Sequence, residues 1–426
     1  MRLVAPIIVG MLMALAPQRV VGAVFIVDDD AVECTDADFS TLGAAVAAAA
    51  MSPEADTILA CAGTYPENLT IGAGNPLKIK GEGTGVTVLT GVAGSAGPVV
   101  DVTSGGRALL MDLTVDAGSA LAGGTVYGIR YTDSHGRLSS VEVLNVRNGD
   151  GSSQGIGVRV ECTGLGGAGC ASLRVQDALI DNYTRAGLQA NGPGASLIAV
   201  SNEIRSPAAP QVWAPNGIQI SRGALGRLSL NTVQGPTSPN PPAGAGSGIL
   251  VFCAGKTVVS ANRVDDSDVG IGIADNQGAK VTVNRVSDSV FDAISLQFLG
   301  NFYGGSLGCP GHPVATSGNV IVANTAQTSG DSGISLVNYD PLTIATTPNE
   351  NRLVANHVSG SAGSAIHVFA SVGGDNPSAN LLVANQLAGS GADDAVDEST
   401  GAGTAGTANT WRSNSCGTSS PAGLCQ

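Results

Sequence analysis

Aromatic residues are scarce in this chain: Phe, Trp and Tyr make up 4% of 426 residues. Basic residues are in deficit as well, 20 Lys and Arg against 34 Asp and Glu for a formal charge of −14. Without a net basic domain or many rings, nucleic acid is not an expected partner. No CxxC pair occurs among the eight cysteines and the four histidines are scattered, so no metal constellation is expected. Beyond residue 23 no apolar run is long enough to span a membrane as a helix.

Residues 1–23 supply Arg2, an apolar run broken by Pro6 and a Val-Gly-Ala23 ending. They read as a cleavable signal peptide, with no Cys at the cleavage site to carry a lipid. Loss of Arg2 and Arg19 takes the charge from −14 to −16. All eight cysteines lie in the mature chain, which fits a secreted, periplasmic or extracellular protein with structural disulfides. Proximity favours Cys34 with Cys61, Cys162 with Cys170, Cys253 with Cys309 and Cys416 with Cys425, although eight cysteines allow many other connectivities.

A short phrase, apolar-x-Asn-x-apolar, recurs at Asn202, Asn231, Asn262, Asn284, Asn324, Asn356 and Asn385, and in weaker form at Asn414. The intervals are 29, 31, 22, 40, 32, 29 and 29 residues. Between returns stands a Gly-Ile-x-apolar phrase, as in Gly217-Ile218-Gln219-Ile220, too short and too β-branched for a helix. Its period of two places the isoleucines on one face and Gln219 on the other. Units of this length bury their inward side chains only against neighbours above and below, so the repeat specifies a solenoid whose insertions fall in turns. Stacked asparagines stand one strand spacing apart, roughly 4.8 Å, and their amides can form a ladder. Asp112, Glu142 and Asp177 are read as continuing the Asn slot upstream, for about eleven or twelve coils. An alanine-rich helix over residues 40–52, N-capped by Ser40, is expected to cover the first coil, and residues 399–426 to form the last coil with its disulfide-closed end.

The run Asp56-Thr-Ile, Ala-Gly63-Thr-Tyr65-Pro-Glu67-Asn-Leu-Thr-Ile71 and Leu77-Lys-Ile-Lys-Gly81-Glu-Gly83 resembles the start of right-handed parallel β-helix proteins of the pectate-lyase-like superfamily. The later coils resemble its generic repeat region, found also in a periplasmic family linked to nitrous oxide reductase maturation. The resemblance covers nearly all of residues 24–426 and implies a single all-β domain, a right-handed parallel β-helix. For activity it implies a range, since the fold hosts lyases, hydrolases, esterases, epimerases and adhesins. A copper-related role finds no cluster of His, Met and Cys.

No complete catalytic motif is present. Gly151-Ser-Ser153-Gln-Gly155 matches GxSxG but lies between strand repeats and reads as a turn. Gly164-Leu-Gly-Gly-Ala-Gly169 reads as a loop between two cysteines. Superfamily enzymes place carboxylates on the coil surface, for glycoside hydrolysis or for holding calcium in a lyase. The candidates are Asp177, Asp181 and Glu203 near Arg185 and Arg205, and Asp265, Asp266 and Asp268 near Arg263. The resemblance implies no cofactor, or Ca2+ in the case of a lyase. The cations cluster: residues 130–285 hold thirteen Lys or Arg against eleven acids, among them Arg130, Arg137, Arg147, Arg159 and Arg174. Arginine forks suit carboxylate or sulfate groups.

The outward slots of the Gly-Ile strand are read as a column of Gly157, Gln189, Gln219, Leu250, Gly272, Ser295, Ser335 and His367, suited to hydrogen bonding with sugars. Two long insertions after Leu296 and Leu336 carry Phe298, Phe302, Tyr303, Tyr339 and Asp340, an aromatic wall on which sugar rings can stack. The expected function is a secreted monomer that binds or processes a polysaccharide or cell-surface glycan along the coil surface. The alternative is an extracellular structural or adhesive β-helix without catalysis.

Overall fold

The structure is a computed structural model that describes residues 22–52, 54–118, 124–147, 154–164, 169–206, 214–235, 237–238, 245–299, 309, 315–339, 348–371 and 375–425. The expected signal peptide, residues 1–23, falls almost entirely outside the described residues. Each coil lays down three short strands, for example Ala195–Val200, Glu203–Arg205 and Asn216–Ser221. Each strand pairs in parallel with its counterpart one coil on. Strands of the first and second positions join in a 24-stranded sheet, and those of the third position form a 13-stranded sheet. These three positions are the first, second and third faces of a right-handed parallel β-helix. Among the described residues twelve coils cover all three faces, from Asp56–Ala60, Gly63–Pro66 and Leu69–Ile71 to Leu381–Val383, Gln386–Ala388 and Ala395–Asp397; in two of them one strand, Arg107–Asp116 or His135–Leu144, spans the first two faces. At one strand spacing per coil the stack is roughly 55 to 60 Å long.

Alternation within strands builds the core. Ile218 and Ile220 point inward and are fully buried, and the second face contributes Ile204, Val233, Val264 and Val286 in line. Each such aliphatic side chain contributes on the order of 1.5–3 kcal/mol by leaving water. The recurrent glycine has a steric cause: a Cβ on Gly217 would lie 2.3 Å from Val233 Cγ1 and 2.4 Å from the Gly248 carbonyl.

The corner between first and second faces carries the asparagines. Asn202, Asn231, Asn262, Asn284, Asn324, Asn356, Asn385 and Asn414 form an unbroken amide ladder, each Nδ2 donating to the next Oδ1 at 2.8–3.0 Å. Each backbone N–H from Asn202 to Asn385 donates to the same oxygen. A second ladder of Asn319, Asn351, Asn380 and Asn409 runs along the corner between third and first faces. Its sequence signal is an Asn five residues ahead of the first ladder's.

Upstream of Asn202 the slot is apolar, and the expected carboxylates do not occupy it. Ala178 fills the slot, its N–H donating to Asn202 Oδ1 at 3.0 Å, and Val141 and Leu113 align above it. Asp112 and Asp177 stand one residue earlier, in left-handed backbone at φ 53°. Glu142 stands one residue later, in register through Leu179 with Glu203. These carboxylates flank the slot, two before it and one after it, instead of filling it.

The ends are covered. Helix Leu42–Ala50 buries Leu42, Ala45, Val46 and Ala49 against the first coil. Thr41, not Ser40, is its N-cap, accepting from the Ala44 N–H at 3.3 Å. Glu67 of the first coil accepts from the Leu42 and Gly43 N–H groups at 2.6 and 2.8 Å, complementing the positive helix end. At the other end Trp411 closes the first-face core, its Nε1 donating to buried Asp397 at 2.8 Å. Disulfides join Cys34 with Cys61, Cys162 with Cys170, Cys253 with Cys309 and Cys416 with Cys425. No helix among the described residues is long and apolar enough to cross a membrane.

Candidate functional site

Strand register places one outward column along the third face: Asp101, Arg130, Arg159, Gln189, Gln219, Leu250, Gly272, Ser295, Ser335 and His367. Gly157, expected in this column, belongs instead to the glycine row that packs on the second face, and Arg159 takes its place.

At Arg130 and Arg159 the column is charged. Arg130 donates through Nε and Nη2 to the two carboxylate oxygens of Asp101 at 3.1 and 2.7 Å. That fork raises the pKa of Arg130. Arg159 pairs with Glu161 two residues along its own strand at 2.5 Å. The Tyr127 ring lies near both guanidiniums, 5.2 Å from Arg130 Cζ and 5.7 Å from Arg159 Cζ. Two like charges one strand spacing apart are thus held by two carboxylates and the negative face of a ring. All five side chains are half-buried, so they border solvent without being fully hydrated. A coil-length interval of 29 residues between the two arginines was a signal that could have joined them.

Farther along, the column turns neutral and closed. Gln219 is buried, accepting from Asn216 Nδ2 at 3.1 Å and donating to Ser221 Oγ at 3.3 Å. Gln189 is buried with its Oε1 unpaired among the described residues. Ser295 and Ser335 are fully buried with their hydroxyls 2.6 Å apart, and Ser335 donates to Asp292 Oδ2 at 2.6 Å. Burial pushes Asp292 up to about 6. His367 follows, 3.0 Å from Glu398 Oε1 and stacked on Phe369 with centroids 4.2 Å apart. A serine, an aspartate and a histidine therefore stand in sequence, but the hydroxyl is sealed from any substrate.

The sequence-derived carboxylate clusters are spread over other surfaces. Asp177 sits at the corner of first and second faces, accepting from Gln176 Nε2 at 3.0 Å. Glu203 and Arg205 pair with each other at 2.5 Å on the second face, with Asp181 in register beside Arg205. Arg185 stands just before a third-face strand and donates to the Ala214 carbonyl at 2.8 Å, and burial lowers its pKa. Asp265 binds Arg263 and Ser287 at 2.5 Å each. Asp266 is exposed in a left-handed corner. Asp268 accepts from the N–H groups of Ser238 and Gly246 at 2.6 and 2.7 Å, and burial raises its pKa. Of the aromatic wall, Phe298 is buried and its carbonyl accepts from the Tyr339 N–H at 2.9 Å. Phe302, Tyr303 and Asp340 lie outside the described residues, as does Ser153.

Among the described residues, three of the four groups with metal-ligand proximity contain disulfide cysteines, which offer no thiolate. The fourth, Asp28, Asp29, Asp30 and Glu33, lies in the turn after the first strand, away from the third-face column.

No family model matches the chain, and no curated protein matches it. Solved structures do. The A-module of mannuronan C-5 epimerase AlgE4 from Azotobacter vinelandii is similar with a TM-score of 0.45 and 15% identity, over 79% of this chain and 93% of that one. The Dettilon tailspike protein gives 0.48 and 13%, over 89% and 64%. A mutant of the periplasmic alginate epimerase AlgG gives 0.47 and 12%, over 80% and 75%. These are likenesses of shape between chains that differ at most positions.

Proposed function

We propose that the protein is a β-helix of an oxidising, extracytoplasmic compartment that binds a linear acidic polysaccharide on its third face. The observation that carries this reading is the Tyr127, Arg130 and Arg159 group, half-buried in the outward column and bordered by Asp101 and Glu161. The ring offers an apolar face to a sugar, and each guanidinium keeps donors beyond those its carboxylate uses. The carboxylates are engaged with the arginines, and Ser335 and Asp292 cannot touch a ligand. These contacts favour binding over turnover at this group.

The test is a panel of acidic and neutral polysaccharides, with and without calcium, scored for retention and for new reducing or unsaturated ends. Retention of a polyuronate without new ends is expected. Weakening of about tenfold in Arg159→Gln, with the fold intact by circular dichroism, would correspond to about 1.4 kcal/mol. New chain ends would establish an enzyme, and no retention on any acidic glycan would overturn the reading.

A further inference from the structure

The first face differs from the other two in its charges. Its strands hold nine of the eighteen Lys and Arg that lie beyond residue 23, and one acid, Asp56, which is buried. Carboxylates stand only in its bordering turns, where Asp112 reaches Lys80 at 4.0 Å. In a chain of charge −14 this segregation is considerable.

The cations also fall in register. Arg174, Arg227, Lys280 and Arg352 occupy one outward column on alternate coils, and Ile198, Val258 and Val320 fill the coils between. Above Arg174 the column continues with Arg137 on the adjacent coil, then Leu109 and Lys78. Arg227, Lys280 and Arg352 are exposed, and their side chains make no hydrogen bond or ion pair among the described residues. Arg174 uses its fork on the neutral Gln176 at 3.0 and 3.2 Å. Alternate coils set the charges about 9.6 Å apart, so the four span about 29 Å along a straight line.

We infer that this column is a second binding site, separate from the third face, for a linear polyanionic glycan whose carboxylate or sulfate groups repeat once per disaccharide. An extended chain of pyranose rings carries such groups on one side at a spacing of the same order. The ring between two charged groups then lies over an aliphatic side chain. A rigid single file of cations suits a polymer more than a membrane, whose headgroups carry no fixed spacing. With one chain on each of two faces, the protein would join polysaccharide strands. Arg227, Lys280 and Arg352 are unneutralised and exposed, so binding should weaken steeply with salt.

The experiment measures affinity of the intact protein for a polyuronate, for a sulfated glycosaminoglycan and for phosphatidylglycerol vesicles, across salt and across defined oligosaccharide lengths. Arg227→Gln/Lys280→Gln is compared with Arg130→Gln/Arg159→Gln, each checked for an unchanged Tm. The expected result is a loss of tenfold or more in the first-face variant for at least one of the two glycans. Affinity should rise as oligomers lengthen to about seven or eight sugars, the length that covers four cations. The glycan that responds identifies carboxylate or sulfate as the ligand. Full binding in the first-face variant with loss in the third-face variant would overturn this inference and leave the third-face reading standing. The reverse would overturn the third-face reading alone. Vesicle binding without glycan binding would overturn both.

Discussion

The coils above Ala178 and those from Asn202 onward solve the same corner differently. In the upper coils the slot holds Leu113, Val141 or Ala178, and in two of them the first- and second-face strands run on as one, Arg107–Asp116 and His135–Leu144. From Asn202 the strands are separate, and a side-chain amide accepts the corner N–H of the coil above. The third face changes along the same axis. Its upper part carries paired charges at Arg130 and Arg159, and its lower part carries the sealed Ser295, Ser335 and Asp292. The same left-handed residue turns both kinds of corner, Asp112 and Ser140 above and Ser201 below. The difference teaches that the asparagine adds side-chain closure to a turn the backbone already makes.

The largest expected effect comes from breaking a rung. Asn284 Oδ1 accepts from the Asn262 N–H and Nδ2, while its own Nδ2 donates to the Val259 carbonyl and Asn324. Asn284→Ala strands those partners in a buried column, and each unsatisfied group costs about 1–3 kcal/mol. A loss of about 4 kcal/mol is expected in denaturant unfolding, against less than about 1 kcal/mol for Ala178→Asn, which prolongs the ladder upward. Equal losses in both variants would show that the two corners do not differ in this way.

A smaller effect separates the buried acid of the lower half from the paired acids of the upper half. Asp292 has its pKa raised by burial from 3.8 to about 6, with Asp331 adding to the rise and Ser335, Ser295 and Ser332 opposing it. A folded pKa above the unfolded one means that the folded state binds more protons between those values. Stability therefore falls as pH rises from about 4 to about 6, by an amount on the order of 3 kcal/mol or less, and stays reduced above that window. Asp268, also raised, contributes with the same sign. Asp292→Asn should flatten the profile, as read from Tm against pH. An unchanged slope would place the dependence elsewhere.

The repeat makes the fold legible because stacking forces equivalent residues into columns, as with Asn202 to Asn385 and the Gly-Ile strands. Register was legible only where a distinctive side chain marked it. Above Asn202 the marker disappears, and Asp112, Glu142 and Asp177 lie one residue off the slot that their spacing suggests. A one-residue slip moves a side chain to the other side of a strand. The third-face group is hidden by a two-residue slip, which sets Gly157 in the place of Arg159, and the first-face column by the lack of a shared motif among its cations. The second ladder was present as Asn319, Asn351, Asn380 and Asn409, five residues before the first. Its spacing repeats the first ladder's and adds no new period.

The smallest expected effect concerns Glu203, the carboxylate that sequence proximity put forward for catalysis. Its partner Arg205 lies two residues along the same strand at 2.5 Å, and both side chains are 46% exposed. An ion pair this open is screened by solvent and contributes on the order of 0.2–1 kcal/mol. Glu203→Gln should leave Tm within a degree or two and polysaccharide retention unchanged, because the pair lies on the second face, away from Arg159 and from the Arg227 column. Loss of retention in this variant would move the binding surface to the second face. It would also mean that Asp181, Glu203 and Arg205, adjacent there across two coils, act together on the ligand.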